Sequence, residues 1–210
     1  MVRRSVAALG VIGGLLAALG AANVYQRRTT DEIPATVVAR LGDVELRRYP
    51  SLVRAETVAD TETAAFRRLF RYIAGRNEGS ETVAMTTPVE VTGRGMAIPM
   101  TAPVEVEAAD RDAVRMVFYL PSEYDAESAP RPIDDAVSLG VVPERTLAVR
   151  RFSGRPTDGR VTRETDRLLA TLDAAGVAVT GDPFFMGYDA PWTLPFLRRN
   201  EVAVEIDTER

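Results

Sequence analysis

Lysine, histidine and cysteine are all missing from this 210-residue chain, so its 26 basic residues are arginines throughout. Without cysteine there is no disulfide and no thiolate nucleophile, and without histidine as well the usual zinc sites are excluded. Triads built on histidine and lysine Schiff bases fall away with them. Acid–base work is left to carboxylates and tyrosines. No GxSxG or HExxH occurs, and no pair of acidic residues has a spacing that specifies hydrolysis, so an enzyme is the least supported class. The charge is −4, from 26 basic and 30 acidic residues. Such a balance creates no strong field of either sign and argues against nucleic acid as a partner.

Long apolar runs are confined to one place. From Val6 to Val24 the chain is almost wholly Ala, Leu, Gly, Val and Ile, with Arg3 and Arg4 before it and Arg27 and Arg28 after it. About 20 apolar residues suit a single-pass transmembrane helix. A secretory signal is the rival reading, since Gly20, Ala21 and Ala22 offer a small-residue cleavage site. The two arginines just beyond that site favour retention, so residues 1–28 are expected to anchor the protein in a membrane. Arginines at both ends leave the orientation open. Residues 29–34 are polar and end in proline, the composition of a short linker. A folded domain is expected over 35–207, with 208–210 as a tail.

What the chain does have is a repeated heptapeptide: Met85 to Val91 is MTTPVEV and Met100 to Val106 is MTAPVEV. Successive strand residues point to opposite faces, so Val89 and Val91 share the face opposite Glu90, as Val104 and Val106 do against Glu105. Two related strands flanking Gly93–Gly95 are expected.

The rest follows one grammar twice. Strand-like runs at Thr36–Leu41, Val44–Tyr49 and Leu52–Val58 precede an amphipathic helix. Its stripe is Phe66, Leu69, Phe70 and Ile73, with Asp60 or Thr61 as cap and Gly75 as stop. The second half places a strand at Thr146–Phe152 and a cap at Thr157 or Asp158. A stripe of Val161, Leu168, Leu169 and Leu172 follows, ended by Gly176. Runs at Val177–Thr180, Phe184–Tyr188 and Val202–Ile206 close the chain. Between the halves, Val114–Leu120 alternates as a half-buried strand and 121–135 forms a long loop. The expected fold is α+β: a distorted β-barrel of two pseudo-repeated βαββ-like halves with two flanking helices, plus the N-terminal transmembrane helix.

Three segments together carry a family resemblance: GYDAPWTLPFLRRNEV at Gly187–Val202, the MTxPV pair, and the helix ending IAGRN at Ile73–Asn77. They resemble the SOUL haem-binding protein family over about 35–207. The resemblance implies non-catalytic binding of haem or free porphyrin in a shallow apolar cleft beside the first helix, as a carrier, buffer or sensor. It also implies that Phe66, Phe70 and Arg71 face the tetrapyrrole, where other members often carry Met and a basic residue. From chemistry alone, a flat apolar disc with two carboxylates needs aromatic or Met contacts and cations at an edge. Phe66 and Phe70, Arg71, Met85 and Met100 supply these, as does Trp192, the sole tryptophan, held between Pro191 and Pro195. Each also has a plain reading as core or lid. The histidine iron ligand proposed for some members has no counterpart in a chain without histidine, which leaves Met or Tyr, or a ring gripped by contact alone. Two other functions stay open: a binding module for another apolar small molecule, and a membrane-anchored protein-interaction adaptor.

Overall fold

The computed structural model describes residues 31–93, 113–189 and 193–207. Eleven strands run through these segments. They are β1 (Asp31–Glu32), β2 (Thr36–Leu41), β3 (Val44–Tyr49), β4 (Leu52–Ala59), β5 (Thr86–Thr87), β6 (Val89–Gly93), β7 (Val114–Tyr119), β8 (Ser138–Val142), β9 (Arg145–Phe152), β10 (Phe184–Gly187) and β11 (Asn200–Glu205). Helix α1 (Glu62–Ile73) lies between β4 and β5, and α2 (Asp158–Ala174) between β9 and β10. A short parallel pair joins β1 to β5, and the other nine strands form one sheet in the order β2-β3-β9-β11-β10-β6-β7-β4-β8. Apart from β2, that order is symmetric about the β10–β6 pair. On each side one strand, its helix and two further strands follow the same path, β4-α1-β6-β7 and β9-α2-β10-β11.

The connections force the sheet to curl. β3 and β4 stand six places apart in it, roughly 29 Å if it were flat. Only Pro50 and Ser51 join them, a reach of at most about 11 Å. Pro143 and Glu144 likewise link β8 at one edge to β9 near the other. The curl brings the edges together, yet no ladder joins β2 to β8. The barrel expected from sequence is therefore corrected to an open, strongly curled sheet. The expected transmembrane helix is not borne out among the described residues, where no helix is long and apolar enough to cross a membrane. The run 6–24, on which that expectation rested, lies outside the described residues.

Curling gives the sheet two unlike faces. The concave face encloses a cluster that includes Leu52, Val117, Leu147, Val149, Phe184 and Met186. On the convex face α1 packs over β4 and β7, and α2 over β9 and β11. Their seams are Ala65, Leu69, Tyr72 and Ile73 on α1 and Val161, Leu168 and Leu172 on α2. The Thr61 hydroxyl caps α1 by accepting from the Ala64 N–H at 3.2 Å, and Gly75, at φ +99°, lets the chain leave the helix. β7, expected to be half-buried, is covered on both sides: Met116 and Phe118 lie under α1, while Val117 and Tyr119 face inward. The run Val177–Thr180, expected as a strand, contributes a single bridge from Val179 to Ile206.

Residues 31–33 fold against the sheet rather than away from it. Asp31 and Glu32 pair with Thr86 and Thr87, and the Ile33 N–H donates to the Thr87 carbonyl at 2.9 Å.

Candidate functional site

The order of strands under the helices creates a gap. With α2 over β9 and β11 and α1 over β7 and β4, the outer faces of β10 and β6 lie between the two helices. The helix axes are about four strand spacings apart, roughly 19 Å. Subtracting a helix diameter of about 10–12 Å leaves a floor some 8 Å wide, which the convex curvature opens further. A planar ring with both faces at van der Waals distance from its walls needs about 7–8 Å.

Apolar side chains furnish this gap. Val89 and Val91 point outward from β6, half-buried, and pair across the floor with Gly187 and Phe185 of β10. Gly187 offers no side chain of its own, and the Phe185 ring lies close beside it. From the α1 side, Phe66 sits edge-on to Phe118 at 5.5 Å, and Phe118 is the direct partner of Val89. Phe70, one turn on, stacks on Phe66 with ring centroids 5.9 Å apart and remains 48% exposed. Helical spacing brings the two rings onto one face. Phe70 thus leaves about half of a large aromatic in water at the edge of this apolar surface, area that a flat ligand could cover.

The sequence-predicted residues thus divide. Phe66 and Met85 pack against the same cluster under α1, Phe70 extends that surface into solvent, and Arg71 is exposed in the helix's last turn. Met100 and Trp192 lie outside the described residues, as does the second heptapeptide. Val89, Val91 and Phe185 were not among the predicted residues. Alternation in MTTPVEV had grouped the two valines on one face, but nothing local signals that β6 pairs with β10, nearly 100 residues away.

Iron ligands can be tested against the side chains present. The five described tyrosines are occupied or buried. Tyr72 donates to the Pro130 carbonyl, Tyr119 to Glu90, Tyr124 to Glu81 and Tyr188 to Glu201. Burial, helped by neighbouring Tyr124 and Glu81, pushes the Tyr72 phenol up to about 12, away from the phenolate a metal prefers. Tyr49 is raised by burial as well. Among the described residues the soft donors near the gap are Met85, partly buried, and Met116, the β7 partner of Val91, which is buried under α1. The surroundings fit a ring held by its faces better than one held by its metal.

The concave face is chemically different, because it carries the acidic residue of the heptapeptide. Glu90 turns inward, where it accepts from the Tyr119 hydroxyl at 2.5 Å and from Arg145 at 3.1 Å. Glu201 on β11 is fully buried and takes two bonds from Arg47, at 2.8 and 3.1 Å, one from Tyr188 at 2.6 Å and one from Arg199 at 3.0 Å. Burial would lower Arg47, but the hydrogen bonds and charge of Glu201 outweigh it and hold the guanidinium charged. Both carboxylates are fully partnered, which is what buried charges require.

The architecture is thus an open curled sheet with two outer helices and an apolar gap between them. The SOUL haem-binding protein family matches residues 30–205, and the chain belongs to that family. Among curated proteins it is similar to Heme-binding protein 1 of Xenopus tropicalis, 28% identical over 135 residues, covering 64% of this chain and 65% of that one. Heme-binding protein 1 of Xenopus laevis is 27% identical over 136 residues with the same coverage. The matched stretch spans a little under two thirds of those relatives. Solved structures share the fold: the C-terminal domain of EcmrR, at TM-score 0.53 and 11% identity, covers 78% of this chain and 96% of its own. A hydrolase from Listeria innocua, at TM-score 0.52 and 12% identity, covers 81% and 94%. At such identities the likeness concerns architecture alone.

Proposed function

We propose that this protein binds haem or free porphyrin, without catalysing its conversion, in the convex gap between α1 and the β6–β10 floor. The observation that carries this reading is the half-exposed Phe66–Phe70 stack beside that floor. Phe70 and Phe66 would meet one face of the ring, Val89, Val91 and Met85 its edge, and Arg71 a propionate. A bound haem would supply an iron centre, and these side chains bind and orient the ring whether or not the metal is present. The proposed role is that of a carrier, buffer or sensor. Action at a membrane is supported only by the apolar composition of residues 6–24, and fractionation of cells expressing the full chain tests it.

The affinity follows from the contacts. Covering roughly 300 Å² of porphyrin at about 25 cal/mol per Å² gives on the order of 7 kcal/mol, against an association cost of about 4 or more. Ring stacking adds about 1–2 kcal/mol and a charge-assisted bond from Arg71 about 2. The total corresponds to a Kd on the order of 10 micromolar. Spectral titration with haemin and with protoporphyrin IX is expected to give similar affinities for both. A sharp six-coordinate haem spectrum, or no binding of the metal-free ring, would refute this mode.

A further inference from the structure

On the opposite face the curled sheet ends in a small pocket, and its stopper is not part of the sheet. Ile33 is 6% exposed although Glu32 and Pro34 on either side of it are exposed. Its side chain lines the pocket with Tyr49, Leu52, Val142, Leu147 and Met186. The void left beside it measures about 10 Å³, room for one water at most.

The stopper is lightly held. Its attachments are the two-residue β1–β5 ladder, the bond from the Ile33 N–H to Thr87, and an ion pair from Glu32 to Arg199 at 2.8 Å whose carboxylate is half-exposed. Segments with few buried contacts open more readily than the core they cover. With Ile33 withdrawn, the void and the volume of its side chain become one apolar slot.

Arg145 defines the polar end of that slot. Its guanidinium lies over the Phe184 ring at 5.3 Å and is bonded to Glu90, but its contact with Glu205 is 3.7 Å, longer than a charge-assisted hydrogen bond. Glu205 is partly exposed. A carboxylate entering with an apolar tail can take that nitrogen while Glu205 turns to water. We infer that the concave pocket is a second ligand site, for a small apolar carboxylate, and that Ile33 occupies it in the ligand's absence.

The chain has no cysteine, so the stopper can be locked cleanly. Glu32 and Thr87 are Cα partners in the parallel ladder, and the E32C/T87C double variant of the full chain can be compared oxidised and reduced. With pentanoate as the probe in titration calorimetry, its four-carbon tail matching the Ile33 side chain, one equivalent is expected to bind the reduced form, and oxidation should weaken it at least about tenfold. Ile33→Gly should tighten pentanoate about tenfold, and pentanol, lacking the charge, should bind more weakly than pentanoate throughout. Equal binding by oxidised and reduced forms overturns the inference, as does an Ile33→Gly protein with native circular dichroism that binds no pentanoate. Equal affinity for pentanol removes the carboxylate class. Haemin titration of both forms separates this site from the convex one: its affinity should not follow the lock, and if it falls in step with pentanoate there is a single site.

Discussion

Truncating Phe70 to alanine separates a binding surface from a piece of core. A phenylalanine side chain buries about 150–250 Å² when covered. With 48% of the residue exposed, about 100 Å² remains for a ligand to cover. At about 25 cal/mol per Å², less what the remaining Cβ retains, its loss removes about 2 kcal/mol of binding, or about 30-fold in Kd. Folding should suffer little, by about 1 kcal/mol, because the ring's packing is confined to one side where it meets Phe66. Leu69 is the internal control: it is fully buried under the same helix, and Leu69→Ala should cost about 2–5 kcal/mol of stability. Soret-region titration with protoporphyrin IX and urea unfolding of Phe70→Ala give the two numbers. A Kd changed less than twofold together with a stability loss above about 3 kcal/mol would mean that Phe70 is structural and the gap is not the site.

Other perturbations probe the frame around it. Glu201→Ala strands Arg47 and Arg199 in the concave face without their shared carboxylate, and should cost about 3–5 kcal/mol in urea unfolding. Asn77, 1% exposed, donates to the Tyr72 and Glu81 carbonyls and accepts from the Glu81 N–H, so Asn77→Ala should destabilise by about 2–3 kcal/mol while Asn77 itself touches no proposed ligand contact. Tyr119 and Tyr188 are raised by burial and then by the charges of Glu90 and Glu201, and Tyr72 to about 12. Since the folded state holds these phenols protonated, their contribution is intact below about pH 10, where unfolded tyrosine titrates, and is lost above it. Ultraviolet titration should therefore show them ionising together with unfolding above about pH 10, and gradual ionisation of a still-folded protein would contradict the buried network.

Local signals reached the helices and stopped at the sheet. The stripe from Phe66 to Ile73, with Thr61 before it and Gly75 after it, reports α1 to within a residue or two of its observed ends, because capping and helical period are properties of neighbours. Alternation likewise divides Val89 and Val91 from Glu90. It does not say which side is inside, and here the glutamate is the more deeply buried, at 6% exposure. That outcome depends on Arg145 and Tyr119 arriving from β9 and β7, information spread over more than 50 residues. The floor of the gap is similarly non-local, since it exists only because β6 pairs with β10. Ile33 was hidden for the opposite reason: a single apolar residue in a polar stretch gives no periodic signal, and its burial is decided by the curl of strands that follow it.

The same division is why the proposed porphyrin site lies on the convex side. Both faces present aromatic and aliphatic groups, but the concave one is threaded by Glu90 and Glu201 with their arginine and tyrosine partners. A macrocycle entering there would have to part ion pairs that are already desolvated, at about 3–5 kcal/mol for each carboxylate left uncompensated, which is comparable to the whole binding energy a flat ring can gain. The convex gap requires no such exchange. Phe70 is already half in water, Val89 and Val91 are half-buried, and covering them removes apolar surface without breaking a hydrogen bond. A single sheet thus offers large flat apolar ligands only its outer face, and leaves the inner one to ligands no bigger than the side chain now lodged in it.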